Sequence, residues 1–169
     1  MDSHSLFEFN HHMPATVPIH RLKIVLMHPQ IAPNTGNIGR LCVAANAELH
    51  LVRPLGFVLS DRNLKRSGMD YWPRLKLTVH DEDEAFFRAA DGGRFWLFTS
   101  KANTSHWDAS FHPDDWLIFG SETHGLSDRL LERFADQTLR IPQAADERCL
   151  NLSTAVGIGL YEALRQLPR

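Results

Sequence analysis

Cysteine is scarce in this sequence: two in 169 residues, Cys42 and Cys149, with no C-x-x-C spacing. A disulfide scaffold is thereby excluded, and reduced thiols of a cytoplasmic protein are the better fit. Long apolar runs are lacking as well. Uninterrupted stretches such as Ile24 to Met27 and Trp116 to Phe119 fall far short of the ~20 residues that span a bilayer, so an integral membrane protein is not expected and no membrane partner is implied. Neither sign of charge is in excess. Lys and Arg number 18 against 20 Asp and Glu, a formal net charge of −2, and nucleic-acid binding would have to come from a local patch. His4, His11, His12 and His20 lack the Cys or acidic partners and the turn framework of metal sites, so no metal is expected. Internal repeats and low-complexity tracts are also missing.

What remains is the composition of one globular domain, 43% hydrophobic and 22% charged. A chain of this length buries roughly 70% of its unfolded surface and needs no staple. Residues 1–20 mix Asn, Ser, Pro and His without sustained periodicity. They are expected to form a flexible leader, with residues 21–169 as a single domain. Neither a basic start before a long apolar core nor an Arg-rich amphipathic pattern occurs, so a secretory or organellar signal is not expected.

Strands and helices alternate after residue 21. Leu22 to Met27 is a short β-branched run that ends at His28-Pro29, as a buried strand does. From Asn37 the apolar residues Ile38, Leu41, Cys42 and Ala45 fall at helical spacing. Further strands are predicted at Glu48–Val52, Lys76–Val79, Phe95–Thr99, Trp116–Phe119 and Thr138–Ile141, and helices at Glu82–Ala90, Ser127–Phe134 and Asn151–Gln166. Such alternation implies an α/β fold, a parallel sheet with helices on both faces. Ligands of these folds lie beyond the carboxyl ends of the strands, which directs attention to the loops there.

Three loops carry information. Pro33 to Arg40, placed between the first strand and its helix, holds glycines that let a backbone turn tightly near a ligand; the plain alternative is a turn capped by Asn37 with Arg40 solvated. It is neither the G-x-G-x-x-G fingerprint nor a P-loop. Gly120 to Ser127 follows a strand; its glycine would make room for a flat ligand, Glu122 puts a carboxylate at the mouth, and Ser127 suits a helix cap. The G-x-S-x-G elbow of hydrolases is absent. Ile141 to Ser153 ends in a helix entrance that Asn151 or Ser153 can cap, with Cys149-Leu150 suited to the floor of a base-sized pocket.

N-T-G-N-I-G-R at Asn34 to Arg40, F-G-S-E-T-H-G-L-S at Phe119 to Ser127, and I-P with R-C-L-N-L-S-T-A between Ile141 and Ala155 resemble, in order and spacing, the three motifs of the SpoU branch of the SPOUT RNA methyltransferases. The resemblance runs from Leu22 to the C-terminus. With D-R-N-L-K-R-S-G-M-D-Y-W at Asp61 to Trp72 and no added RNA-binding domain, the chain is most similar to the minimal TrmL (YibK-like) subfamily. That resemblance implies a C-terminal deep trefoil knot, a homodimer, and methylation of the ribose 2′-OH of the wobble nucleotide, cytidine or modified uridine, in the tRNA anticodon stem-loop, as in tRNA-Leu. It also implies S-adenosyl-L-methionine held largely by main chain at Phe98, Thr99, Ser100, Gly120, Ile141, Cys149 and Leu150, with S-adenosyl-L-homocysteine as product. Cys149 stands where many relatives have a small polar residue, and His124 where several have Arg.

Methyl transfer from a sulfonium is an in-line displacement, so the protein must align the ribose oxygen and ease loss of its proton. The resemblance places Arg40 at that hydroxyl, as general base or as electrostatic stabiliser. A guanidinium hardly ever deprotonates in proteins, which makes a charged Arg40 facing a developing alkoxide and an adjacent phosphate the easier role. Asn37, Glu122, Asn151 and Ser153 would complete the catalytic set by hydrogen bonding. Arg62, Lys65, Arg66, Arg74 and Lys76, interleaved with Tyr71 and Trp72, suit phosphate contacts and base stacking in a single-stranded loop; a solvated helix face with a buried Trp is the alternative. Ala155, Gly157 and Gly159 permit close helix approach, either across a two-fold interface or within the chain. Other readings are a knotted RNA-binding protein without catalysis, a SpoU-type enzyme acting on another tRNA or rRNA site, a Rossmann-type oxidoreductase or hydrolase, and an assembly factor.

Overall fold

The computed structural model describes residues 16–59, 71–145, 147 and 149–168. Among them are six strands: β1 Lys23–Met27, β2 Glu48–Val52, β3 Leu77–His80, β4 Phe95–Phe98, β5 Trp116–Phe119 and β6 Thr138–Leu139. They form one sheet in the order β3-β2-β1-β5-β4-β6, parallel at every pairing. Four α-helices connect and flank them: α1 Ala32–Ala45, α2 Asp83–Ala89, α3 Asp128–Arg133 and α4 Leu152–Gln166.

A parallel sheet must be covered on both faces, and strands buried twice read as continuous apolar runs. Alternate side chains serve two cores. Ile24, Leu26, Leu49, Leu51, Leu117 and Phe119 pack with Ile38 and Cys42 of α1 and Val156, Leu160 and Ala163 of α4. Val25, Met27, Val52, Leu97 and Ile118 pack with Phe86 and Phe87 of α2 and Leu130 of α3. This is the two-residue period of a strand, seen at full length in β1. The chain builds outward from β1 through β2 to β3, crosses to β4, steps inward to β5 beside β1 and ends at the edge strand β6, so the two halves of the sheet meet between β1 and β5. Leu26 pairs with Phe119 there, and the loops after β1 and β5 open into the crevice where α/β folds bind ligands.

Helix α1 begins five residues before the predicted Asn37. Pro33 sits in its first turn, where a fixed φ and a missing N–H cost nothing, and Asn34, Thr35 and Gly36 are buried helical residues rather than loop. Asn37 is therefore no cap: it is exposed on the helix surface, and the N-cap Ile31 receives no side-chain bond of its own. β3 is shifted by one residue, and β6 stops at Leu139, with Arg140 in an isolated bridge to Ser105. Ser127 caps α3 by accepting from the Leu130 amide, and Asn151 caps α4 by accepting from the Ser153 amide. His20, expected in the leader, is buried in the domain. Its Nε2 lies 2.8 Å from the Ala45 carbonyl, while its Nδ1 accepts from the Leu22 amide at 3.0 Å. Most of the expected leader, residues 1–15, lies outside the described residues, as do Arg62, Lys65 and Arg66.

Candidate active site

The segments after β4, β5 and β6 converge with the entrance of α4 on a cavity of about 450 Å³. Phe98, Thr99, Ser100, Gly120, Ile141, Cys149 and Leu150 all line it, together with Glu122, His124 and Asn151. Behind it the rings of Phe98 and Phe119 stack 4.6 Å apart at 14°. Gly159 of α4 lies against this pair, and a Cβ there would stand 2.9 Å from Phe98 Cζ. That glycine is thus used by packing within the chain. Gly120 serves the chain too, and not by clearing space for a flat ligand: a Cβ on it would fall 2.0 Å from the Gly125 carbonyl carbon. The backbone after β5 folds back on itself, with Ser121 and Gly125 exchanging main-chain hydrogen bonds at 3.2 and 2.9 Å and Gly125 at φ +68. Only glycine tolerates the first position sterically and readily supplies the second.

A continuous polar chain crosses the mouth. Glu122 accepts from the Gln30 amide at 2.8 Å with one carboxylate oxygen, and from the Ile31 amide at 3.2 Å and Asn34 Nδ2 at 3.0 Å with the other. Asn34 Oδ1 accepts from Asn151 Nδ2 at 3.0 Å, and Asn151 Oδ1 accepts from the amide and hydroxyl of Ser153 at 2.8 and 2.7 Å. Each amide donates one way and accepts the other, which fixes both orientations. The Glu122 carboxylate also faces the positive end of α1, supplying from another loop the cap that Ile31 lacks. Asn34 is a site residue that sequence reasoning placed within a motif but did not single out. The signal was Pro33, which marks a helix start and moves Asn34 onto the inner face.

Arg40 and Asn37 stand apart from this cavity. Arg40 is six residues beyond Asn34 on α1, about 9 Å along the axis and about 120° around it. It is exposed, with its guanidinium carbon 5.0 Å from the centre of the Tyr71 ring. Ser153 reaches the site only through Asn151. Tyr71 is 4% exposed and Trp72 half-buried. The Tyr71 ring, expected to stack on a base, is enclosed by the chain itself. Arg74 and Lys76 are exposed, and Lys76 Nζ donates to Asn46 Oδ1 at 3.1 Å. His124 sits at the rim, its Nδ1 2.8 Å from Thr123 Oγ1. Cys149 is exposed, whereas burial pushes the Cys42 thiol up to about 12. Among the described residues no group of three or more His, Cys, Asp or Glu is placed to hold a metal ion, and no helix is long and apolar enough to cross a membrane.

Known proteins share this sequence and architecture. The chain is 43% identical over 146 residues to the tRNA (cytidine(34)-2'-O)-methyltransferase of Burkholderia pseudomallei, a match spanning 85% of this chain and 94% of that protein. A solved structure addressing the 2-OH methylation of C/U34 on tRNA aligns with a TM-score of 0.83 at 45% identity, covering 88% of this chain and 97% of that one. An AdoMet-bound rRNA methyltransferase from Sinorhizobium meliloti aligns with a TM-score of 0.77 at 27% identity, over 88% of this chain and 57% of that one. With residues 21–161 matching its sequence pattern across all three loops that build the cavity, the chain belongs to the SpoU rRNA methylase family.

Proposed function

We propose that this protein is a tRNA methyltransferase that uses S-adenosyl-L-methionine to methylate the ribose 2′-OH of the wobble nucleotide, cytidine or modified uridine, in the anticodon stem-loop. The observation that carries the reading is the cavity itself: residues from three family motifs, far apart in sequence, meet around one space. Its volume of about 450 Å³ is within the range of small-molecule sites, and its walls mix exposed main chain with the apolar Phe98, Ile141 and Leu150. Both suit a nucleoside bearing a charged tail. The activities of the Burkholderia relative and of the C/U34 structure support the substrate, and the bound AdoMet of the Sinorhizobium protein supports the cofactor.

When bound, S-adenosyl-L-methionine supplies an electrophilic methyl group. Phe98, Thr99, Ser100, Gly120, Ile141, Cys149 and Leu150 would hold it. Glu122, Asn34, Asn151 and Ser153 keep the three loops in register, so the cavity is organised before any ligand arrives. Arg40 acts on the ribose oxygen as a fixed positive charge, favouring the alkoxide that forms as the proton departs. Asn37, one turn before it, adds a hydrogen-bonding group on the same exposed side.

Arg40 is exposed and lies outside the lining of its own cavity, which supports a homodimer in which each copy's Arg40 serves the other's site. Ile158 and Tyr161 on α4, 37% and 50% exposed, and Ile31, 44% exposed, offer apolar surface for that contact. A trefoil knot belongs to the same reading. After the edge strand β6 the chain passes Cys149 and Leu150 beside the ends of β4 and β5, then α4 packs on α1 at the centre of the sheet, a path suited to threading. A tRNA substrate places the protein in the cytoplasm. Purified protein incubated with unmodified tRNA and labelled donor should give 2′-O-methylnucleoside at position 34 by mass spectrometry. Methyl incorporation into a base, or none at all, would refute the assignment.

A further inference from the structure

Tyr71 makes two contacts that converge on one side chain. Its hydroxyl donates a 2.6 Å hydrogen bond to the Gly36 carbonyl. In an α-helix that carbonyl is also the acceptor for the amide four residues on, which here is Arg40. The Tyr71 ring meanwhile lies beneath the Arg40 guanidinium, 5.0 Å from centroid to carbon. Gly39 makes the approach possible: a Cβ there would lie 3.2 Å from Trp72 Cζ3 and Leu75 Cδ2 and 3.5 Å from Tyr71 Cε2. Gly39 of the first motif therefore leaves room on α1 for an aromatic turn, Tyr71 to Arg74.

We propose that Tyr71 is the positioning residue for Arg40, the hydroxyl fixing the helical turn and the ring holding the guanidinium. The proposal rests on the reading of Arg40 as the charge that acts at the ribose. The chemistry explains why an aromatic ring does this and not a carboxylate. An ion pair would orient the arginine but would cancel the field it offers to a developing alkoxide. An aromatic face attracts the cation through its quadrupole and leaves the positive charge uncompensated. Arg40 on its exposed helix face would otherwise sample many rotamers, and the ring restricts them before substrate binds.

Single-turnover methyl transfer, at saturating tRNA and donor, tests this with Tyr71→Leu and Tyr71→Phe, each made in the native and the Arg40→Ala backgrounds. In the native background Tyr71→Leu should slow the step by about tenfold or more, while Tyr71→Phe, which keeps the ring, should recover most of the rate. Donor affinity should stay within twofold of the native value. In the Arg40→Ala background neither change should slow the residual reaction further, because nothing is left to position. The proposal is overturned if Tyr71→Leu retains the native rate, if its defect vanishes at saturating tRNA, or if the same factor disappears again without Arg40. Should Tyr71→Leu fail to fold, Tyr71→Met, which also removes the ring, takes its place in both backgrounds under the same criteria. Native activity in Arg40→Ala alone would overturn the role of Arg40 itself and Tyr71's with it; an inactive Arg40→Ala beside a fully active Tyr71→Leu overturns only the positioning.

Discussion

Glu122 and Asn34 meet across 88 positions of sequence, Asn34 Nδ2 donating to Glu122 Oε1 at 3.0 Å. The same carboxylate takes the Gln30 and Ile31 amides, so one side chain from the loop after β5 closes the N-terminus of α1 and the polar chain to Asn151. Removing it leaves the first amides of α1 to water. Glu122→Ala should cost about 0.5–2 kcal/mol of stability, the scale of a lost helix cap, read as a lowered midpoint in thermal unfolding. It should weaken donor binding in calorimetry as well, since the loop lining the cavity loses its tether.

Asn34 tests the direction of the chain. Asn34→Asp substitutes an acceptor for the donor that faces Glu122 and sets two carboxylates side by side. Donor affinity and turnover should both fall by tenfold or more on the scale of a broken charged hydrogen bond, roughly 1.5–3 kcal/mol. Raising ionic strength should restore little, because the pair is short-range and partly buried. An Asn34→Asp protein with native donor affinity would show that the network is incidental.

On the proposed reading of Arg40 as the charge at the ribose, its removal should separate binding from chemistry. Arg40→Ala leaves the cavity lining intact, so donor affinity by calorimetry should be unchanged while methyl transfer drops about 100-fold or more, as for loss of an oxyanion-type donor. Equal losses in both would place Arg40 in the cofactor site instead. Mixing Arg40→Ala with a variant defective in donor binding should restore up to about a quarter of the native activity if the site is shared between copies, by random re-pairing of subunits.

How much of this was written in the sequence differs from element to element. β1 and β5 were legible because strands buried on both faces read as near-continuous apolar runs, and the Asn151 cap of α4 because capping is local chemistry. The cavity lining was legible only through the family motifs. Helix α1 was not: its start is stabilised by Glu122, 91 residues beyond Ile31, and no local pattern announces a cap supplied from elsewhere. Gly39 and Gly120 signalled close approach correctly, but sequence could not say what approaches. Both turned out to face the chain's own atoms, the aromatic turn in one case and the Gly125 backbone in the other. The enclosure of Tyr71 was hidden for the same reason.

Basic residues give a prediction that rests on sequence alone, since Arg62, Lys65 and Arg66 lie outside the described residues. Lys65→Glu with Arg66→Glu should weaken tRNA binding and flatten its dependence on salt, by about one unit of log–log slope for each phosphate no longer neutralised. Filter binding across a salt series measures both. An unchanged slope would remove these residues from the RNA surface.

A pair of histidines under the sheet should govern stability in mild acid. His50 Nδ1 and His80 Nε2 lie 2.9 Å apart, both residues buried, and Trp116 and Phe86 close the space around them. One ring must donate and the other accept, so the accepting ring cannot take a proton on that nitrogen without breaking the bond, and a charge on either ring raises the cost of a charge on the other. Burial, then the charge of His80, lowers His50 to about 4; Lys23 acts in the same sense and Glu48 opposes it. Burial lowers His80 as well. A folded-state value below the unfolded 6.5 means that the unfolded chain binds the proton first. The contribution is therefore complete above pH 6.5 and is lost as pH falls toward 4, to the extent of about 3 kcal/mol for His50. His106, also lowered by burial, adds to the same window, so the test is a difference. Thermal midpoints of the native protein should fall from about pH 7 to about pH 4, and those of His50→Leu should fall less over that interval. Parallel curves for the two proteins would show that the pair does not titrate as a buried unit.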